Sequence, residues 1–529
     1  MNYLALEQKL INWYNNIPAS LKKSFWISFM LINIAFLFHT ANFMFGDHDW
    51  LYVKAETYWK EGTFEGRPLH FALQSILFSG QILPILNNLF SFFALTLSSI
   101  MLARYWNIPL TTLNYTLFAS FVGTIPYTLV WLYYAKDALI NLSLPLIVMT
   151  SLWLSKQKGR TKAQTLILHF TSIMVMLFAF SSYMAVINMV GICVLGAMII
   201  DYAYHNKDVP TIIKTYTPTI VNVVIALILF QLYMKLYPIT SSYNTKIIPL
   251  DFVAQKFFMT VEVMFKQFTA VLPFMEYKYK ISLLIMTVLG LLSFVSSVKV
   301  SKLPLSILVL LVVLFVSKFA YFIADERGEI LAEMEDFAFV PRLDFYGLVY
   351  VYALFLAFLL SLAKEKLQKV SCILVAIVIF MSVVRDTYAL KTWKLGFDAE
   401  MKAHERIVSR LESHKNFRTT QTYKLLQIGT LSLRKNFYKT QPNEKIGLDL
   451  LETSFTPIYM SRIVYNFYYN KDIFHSNIME YELSEEAKNF ILYEAEAWPK
   501  QNSIYVDSDT VIIVLSEEGL EKSKQKIRQ

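Results

Sequence analysis

The sequence predicts a polytopic α-helical membrane protein of about eleven transmembrane helices, followed by a small C-terminal α/β domain. Three observations predict this. Of the 529 residues, 55% are hydrophobic and only 17% charged, whereas a soluble globular chain carries about a quarter charged residues. There are 41 Phe, 32 Tyr and 9 Trp, with a mean hydropathy of +0.43. The apolar residues come in runs of about twenty, the length needed to cross roughly 30 Å of hydrocarbon. Collagen, coiled coil, a disordered tail and a disulfide-rich module are excluded. A porin-like barrel would alternate apolar and polar residues at period two, and these runs do not.

The spans are read at about 25–44, 82–103, 111–130, 139–155, 164–180, 183–202, 215–234, 281–298, 304–323, 343–363 and 370–388. Residues 1–24 are polar and mixed in charge, and no small-residue cleavage site follows the first apolar run, so no cleavable signal peptide is expected. Lys and Arg set the orientation. With the N-terminus cytoplasmic, the inner loops hold 15 basic residues in about 62 positions and the outer loops 12 in about 112, the asymmetry that marks the cytoplasmic side. The C-terminal 140 or so residues then lie outside.

The net charge of +9 divides unevenly. Residues 389–529 hold 20 Lys/Arg against 19 Asp/Glu, and the remainder 29 against 21. The excess belongs to the membrane part, where it sets topology and meets anionic lipid headgroups; nucleic-acid binding has no support. Cys193 and Cys372 both fall in apolar runs and read as packing residues.

Two outer loops, 45–81 and about 235–280, are long. Each contains helical apolar spacing: Leu69, Leu73, Ile76 and Leu77 in the first, and Phe252, Phe257, Val261, Met264 and Phe268 in the second. These segments predict amphipathic helices in the membrane interface or a simple lid over the bundle. In the tail, 396–414 has helical spacing, 421–428 is strand-like, 484–497 is helical, and 503–515 reads as a hairpin turning at Asp507-Ser508-Asp509. No phosphate-cradling Gly loop, His-Glu-x-x-His or Gly-x-Ser-x-Gly occurs. The tail therefore reads as a recognition or stabilising module.

The candidate chemistry gathers on the outer side. Asp47-His48-Asp49-Trp50 follows the first span, with Gly66-Arg67 further along. A carboxylate there can take the proton from an attacking hydroxyl or hold a divalent cation, with Asp47 and Asp49 as its ligands. The competing reading makes Asp47 an N-cap. Lys136-Asp137 sits between the third and fourth spans, either as a site pair or as a local ion pair. Arg342 ends the outer loop 325–342, which carries six acidic residues. It reads as an interfacial anchor or as a planar fork for phosphate oxygens. Lys318 lies five residues inside the ninth span, about 7 Å deep. An intramembrane Lys is a functional candidate, but this one is shallow enough to snorkel to the surface, and that is the expectation. His39 and His169 read as core residues.

The order of motifs completes a pattern. Gly46-Asp47-His48-Asp49-Trp50 and Gly66-Arg67 precede Pro126-Tyr127, Tyr133-Tyr134-Ala135-Lys136-Asp137 and Ser181-Ser182-Tyr183-Met184-Ala185. Near the end come Ala497-Trp498-Pro499-Lys500-Gln501-Asn502-Ser503-Ile504 and Val511-Ile512-Ile513-Val514-Leu515. Over almost its whole length the chain resembles the bacterial O-antigen glucosyltransferases of serotype conversion, members of the GT-C superclass. Each motif is short, and the strength of the resemblance is their shared order.

The resemblance implies a GT-C-like bundle and an inverting hexosyltransferase in the bacterial inner membrane, acting on the periplasmic side. The donor would be undecaprenyl-phosphate-linked sugar, typically glucose, supplied by a partner synthase and flippase. The acceptor would be a lipid-linked O-antigen or similar surface glycan. It places the acidic catalytic role on Asp47 and Asp49; beside it, the charges read above make Arg67, Lys136 and Arg342 candidates to receive the lipid phosphate, and Asp137 and Lys318 further candidates for the substrate site. His48 separates the two acids, which leaves open which is the base. Tyr183 stands where the family usually carries a Tyr-Gln pair, and the Gln is missing.

Displacement at an anomeric carbon needs one carboxylate for the acceptor hydroxyl and cations for the departing phosphate, and a lipid-borne sugar needs no nucleotide loop. Two rival readings make different demands. A transporter of lipid-linked sugar would show internal repeats and Gly/Pro-broken spans near the midplane; no repeat is visible. A structural envelope partner would leave the loop carboxylates dispensable.

Overall fold

The computed structural model describes residues 14–44, 83–236, 250–269, 277–323, 341–361, 365–429 and 458–529, with Asn12, His70, Ile76 and Leu431. Asp47, Asp49 and Arg67, the acidic loop 325–340, most of the first long loop and residues 237–249 and 270–276 of the second lie outside the described residues. The chain divides into two compact units whose junction falls at Tyr388 and Ala389, within one long helix.

The first unit is helical. Its elements are α1 (Ala19–Ala41), α2 (Pro84–Tyr105), α3 (Thr112–Thr124), α4 (Thr128–Tyr133), α5 (Ala135–Lys156), α6 (Lys162–Ser182), α7 (Val186–Ala203) and α8 (Val209–Leu236). Then follow α9 (Val253–Thr269), α10 (Tyr277–Ser297), α11 (Leu303–Val316), α12 (Phe319–Ile323), α13 (Pro341–Tyr346), α14 (Leu348–Leu360) and α15 (Glu365–Glu412). Among the described residues nine helices are long and apolar enough to cross a membrane. The exposed residues support that reading. Trp26, Met30, Ile34 and Leu37 on α1, Leu166, Ile167 and Phe170 on α6, and Ile213, Ile220, Ile228 and Leu232 on α8 all face outward. Apolar surface this continuous is what a membrane-facing perimeter presents.

Two expected spans are broken helices. The stretch 111–130 stops at Thr124 and restarts at Thr128. Ile125 is extended, at φ −63° and ψ 135°, as the residue before Pro126 must be to avoid the proline ring. The stretch 304–323 breaks at Ser317. Here the bundle itself supplies the splice. Asn188 of α7 donates its Nδ2–H to the Ser317 carbonyl at 3.0 Å, and its Oδ1 accepts from the Ala320 N–H at 2.8 Å. One side chain thus meets two backbone groups that an unbroken helix would have paired. Asn188→Leu would leave both unmet in the interior, at about 1–3 kcal/mol each. A drop in the thermal unfolding midpoint of the detergent-solubilised protein is the expected outcome.

At the centre lies α14. Every residue from Leu348 to Leu360 is buried, as befits a helix that is apolar all round. Gly347 precedes it, and a Cβ there would stand 2.2 Å from the Ser317 carbonyl oxygen. The start of α14 therefore rests on the break between α11 and α12. Gly347→Ala would force backbone apart, costing about 1–3 kcal/mol; unchanged stability in the same unfolding assay would contradict this contact.

Around the centre, polar side chains tie helix to helix. Ser24 and Ser28 of α1 donate to the Thr112 and Thr116 carbonyls of α3 at 3.0 and 3.2 Å. Ser151 of α5 meets Ser172 of α6, and Asn222 of α8 meets His169 and Ser172. His39 pairs with Asn88 at 3.1 Å. Both histidines are thus packing residues, as are the buried free thiols Cys193 and Cys372. Such small-residue and amide contacts are the usual glue where lipid removes the hydrophobic drive between helices.

The amphipathic helix expected in the second loop exists as α9. Phe257, Phe258 and Phe265 are exposed, while Lys256, Thr260 and Gln267 are buried together with Met264. The Lys256 ammonium sits 3.7 Å from the Tyr321 ring centroid. The helix exposes these three Phe rings together with Glu262 and Lys266, and buries Val263 and Met264 beside its three polar groups.

The second unit contains the end of α15, then β1 (Tyr423–Ile428), α16 (Ile458–Tyr469), β2 (Phe474–Asn477), α17 (Glu485–Asn489, continuing as a π turn through Glu494), β3 (Ile504–Val506), β4 (Thr510–Val514) and α18 (Glu517–Arg528). The sheet order is β2-β1-β4-β3, with β1 parallel to both neighbours and β3–β4 a hairpin. Alternate residues of β1 and β4 enter two cores. Tyr423, Leu425, Val511 and Ile513 pack with Ile407 and Leu411, while Leu426, Ile428, Ile512 and Val514 pack with Ile491 and Leu520. Both sheet faces are covered, which is why these strands read as continuous apolar runs. The strand at 421–428, the hairpin and a helix after Ser484 correspond to the sequence reading; β2, α16 and α18 do not figure in it. At the hairpin turn, the Thr510 hydroxyl and the Lys424 ammonium hold the Asp509 carboxyl below the usual carboxylate range.

Candidate active site

The breaks in α3–α4 and α11–α12 and the short helix α13 place four functional side chains at one locality of the first unit. Asp137 stands in the first turn of α5, where a carboxylate suits the positive end of the helix. It is 4% exposed, and its Oδ1 lies 2.9 Å from His70 Nε2, itself 1% exposed. Asp137 was expected to be either a site residue or half of a local pair with Lys136. Its described partner is His70, sixty-seven positions away in sequence; the side chain of Lys136 lies outside the described residues.

Arg342 belongs to the first turn of α13, and its guanidinium lies over the Tyr134 ring at 4.8 Å. Tyr134 in turn caps α5, accepting the Asp137 N–H at 2.8 Å. One residue thus connects the cation to the backbone of Asp137. Stacking on an aromatic face suits a planar guanidinium.

Lys318 requires a correction. It does not snorkel: it is 2% exposed and forms an ion pair with Asp344, which is 1% exposed. The physical reason is local. The helix break at Ser317 puts Lys318 beside α13, and a charge buried there needs a counter-charge. Asp344 supplies it from inside what reads as the tenth apolar span.

Aromatic side chains enclose these groups. Trp131 meets Tyr183 edge-on at 5.4 Å and Tyr346 at 5.9 Å, and Tyr183 meets Tyr346 at 5.6 Å. The Tyr346 hydroxyl donates to the Asn141 carbonyl at 2.7 Å, one turn along α5 from Asp137. The buried polar atoms with no hydrogen-bond partner among the described residues include Trp131 Nε1, the Tyr127 hydroxyl and Asp344 Oδ2 here. The locality thus offers two donors and a carboxylate oxygen beside a guanidinium and a carboxylate–imidazole pair. Of these groups, the Arg342 fork is the one suited to the oxygens of a sugar phosphate.

Of the residues expected from sequence, the structure brings Asp137, Arg342 and Lys318 together; Asp47, Asp49 and Arg67 lie outside the described residues. The sequence reading missed His70, Asp344 and Asn188. Asp344 had a signal, since an intramembrane lysine implies a partner and Asp344 is an acid within an apolar run. His70 had none beyond its place in an amphipathic stretch.

Comparison with known families decides the assignment. The model of the GtrII glucosyl transferases matches residues 48–331, just over half of the chain. The chain belongs to the GtrII glucosyl transferase family. The matched stretch contains Asp49, Arg67, His70, Lys136, Asp137, Asn188 and Lys318; Asp47 falls just before it, and Arg342 and Asp344 just after. No curated protein and no solved structure matches the chain. As a GtrII family member the protein is a glycosyltransferase of the glucosyltransferase type, consistent with the serotype-conversion resemblance of its motifs.

Proposed function

We propose that this GtrII family member transfers a hexose, glucose by the family's name, from an undecaprenyl-phosphate-linked donor to a lipid-linked O-antigen or other surface polysaccharide. Transfer takes place at the periplasmic side of the inner membrane. The observation that carries the reading is the family match over 48–331. The gathering of Asp137–His70 and Arg342 on aromatic supports adds to it.

In the proposed reaction, Asp49 or Asp47 removes the proton from the acceptor hydroxyl as its oxygen attacks the anomeric carbon from the face opposite the phosphate. The bond to phosphate breaks, the configuration inverts, and the lipid phosphate leaves with its charge met by Arg67, Lys136 and Arg342. Lys318 does not belong with those cations, since Asp344 already balances it; the pair fixes α12 against α13 beneath the site. A divalent cation on Asp47 and Asp49 would serve the phosphate in the same way.

Mass spectrometry of the surface glycan tests the proposal. With donor lipid supplied, cells carrying the protein should show one added hexose per modified repeat. An unchanged glycan in cells that insert the protein normally would refute it.

A further inference from the structure

The second unit carries a groove of about 520 Å³ lined by Glu405, Arg406, Ser409, Arg410, Ser413 and Trp498. That volume falls inside the roughly 300–1,000 Å³ of small-molecule sites. Four of the six residues follow one face of α15, Ser413 comes just after its end, and Trp498 forms the opposite wall. The wall is fixed from within. Arg410 Nη1 donates to the Pro499 and Lys500 carbonyls at 3.0 and 2.7 Å and to Ser503 Oγ at 3.1 Å, with its guanidinium 4.3 Å from the Trp498 ring centroid. Part of the indole packs against the core beneath the sheet. Arg410 is thereby committed to the turn.

Arg406, one helical turn earlier, is exposed. Its contact is with the Trp498 ring at 5.5 Å, and it has no hydrogen bond or ion pair among the described residues. The groove therefore combines an uncommitted planar donor, the Ser409 hydroxyl, an acceptor carboxylate on Glu405 and an indole wall. With Arg410 committed, the charges of Glu405 and Arg406 balance, so the groove does not favour a polyanion. Alternating donors and acceptors beside an aromatic surface match a pyranose, which carries hydroxyls around its rim and apolar C–H groups on its face.

We infer that this groove binds a saccharide unit of the acceptor polysaccharide. The inference rests on the reading of the protein as a surface-glycan glucosyltransferase, and it assigns the second unit the holding of acceptor rather than chemistry.

The test uses the full chain in lipid nanodiscs and, as probe, the purified polysaccharide of cells lacking the protein. Loss of the Arg406 donor in Arg406→Ala should weaken polysaccharide binding about tenfold, the value of a charged hydrogen bond. In turnover the loss should fall on KM for the polysaccharide rather than on kcat. Trp498→Phe, which keeps an aromatic packed on the core, should weaken binding less than Arg406→Ala. If binding is the same for the parent, Arg406→Ala and Trp498→Phe proteins, the groove assignment is overturned, whether or not hexose is transferred. If Arg406→Ala weakens binding while no chain transfers hexose, the groove stands and the transferase reading falls.

Discussion

Asp49→Asn and Asp47→Asn are expected to differ sharply, one of them lowering hexose transfer by about 10²–10⁴-fold, the contribution of a positioned general base. Asn is the informative replacement because it separates the two readings of this loop. As an N-cap, Asn serves about as well as Asp, so a capping role predicts normal insertion and normal transfer for both variants. As a base, Asn cannot accept the proton, and transfer fails while the protein remains folded. The measurement is single-turnover transfer from supplied donor lipid, with membrane insertion checked in parallel. Full activity in both variants would remove the base from this loop. Asp137 would then become the next carboxylate to examine, since it already stands against His70 and near Arg342.

Lys318→Met is expected to destabilise the protein by about 3–5 kcal/mol, because it leaves the Asp344 carboxylate buried without its partner. A snorkelling lysine would be lost almost without effect, so the two pictures of this residue differ by several kcal/mol. The double variant Lys318→Met with Asp344→Leu removes both charges and should recover most of the loss, as apolar replacement of a whole buried pair often does. Thermal unfolding of the three variants and the parent reads this directly. A double variant as unstable as Lys318→Met would mean that the pair is not the source of the effect.

Hydropathy reveals the apolar runs and much of the second unit, because both follow from composition and local spacing. The strand at Tyr423–Ile428 and the turn at Asp507–Asp509 carry their own signals. The breaks are legible only where the chain itself causes them. Ile125 is bent by the proline that follows it, whereas the break at Ser317 depends on Asn188, 129 positions away. Helix α9 was legible as amphipathic from its spacing, which does not say that Lys256, Thr260 and Gln267 are buried with Val263 and Met264. The site was half legible: Asp137 and Arg342 declared themselves as charges between apolar runs, while His70 and Asp344 become partners only through contacts across the fold.

The joint where Gly347 rests on the Ser317 carbonyl has a consequence for insertions and deletions. A helix turns about 100° per residue, so adding or removing one residue in α11 would swing Lys318 away from Asp344 and carry Ser317 off its seat. The number of residues between Leu303 and Lys318 is therefore held as tightly as the lysine itself. A change in spacing there would be felt at Arg342 on the neighbouring short helix, although no residue of the site had been replaced.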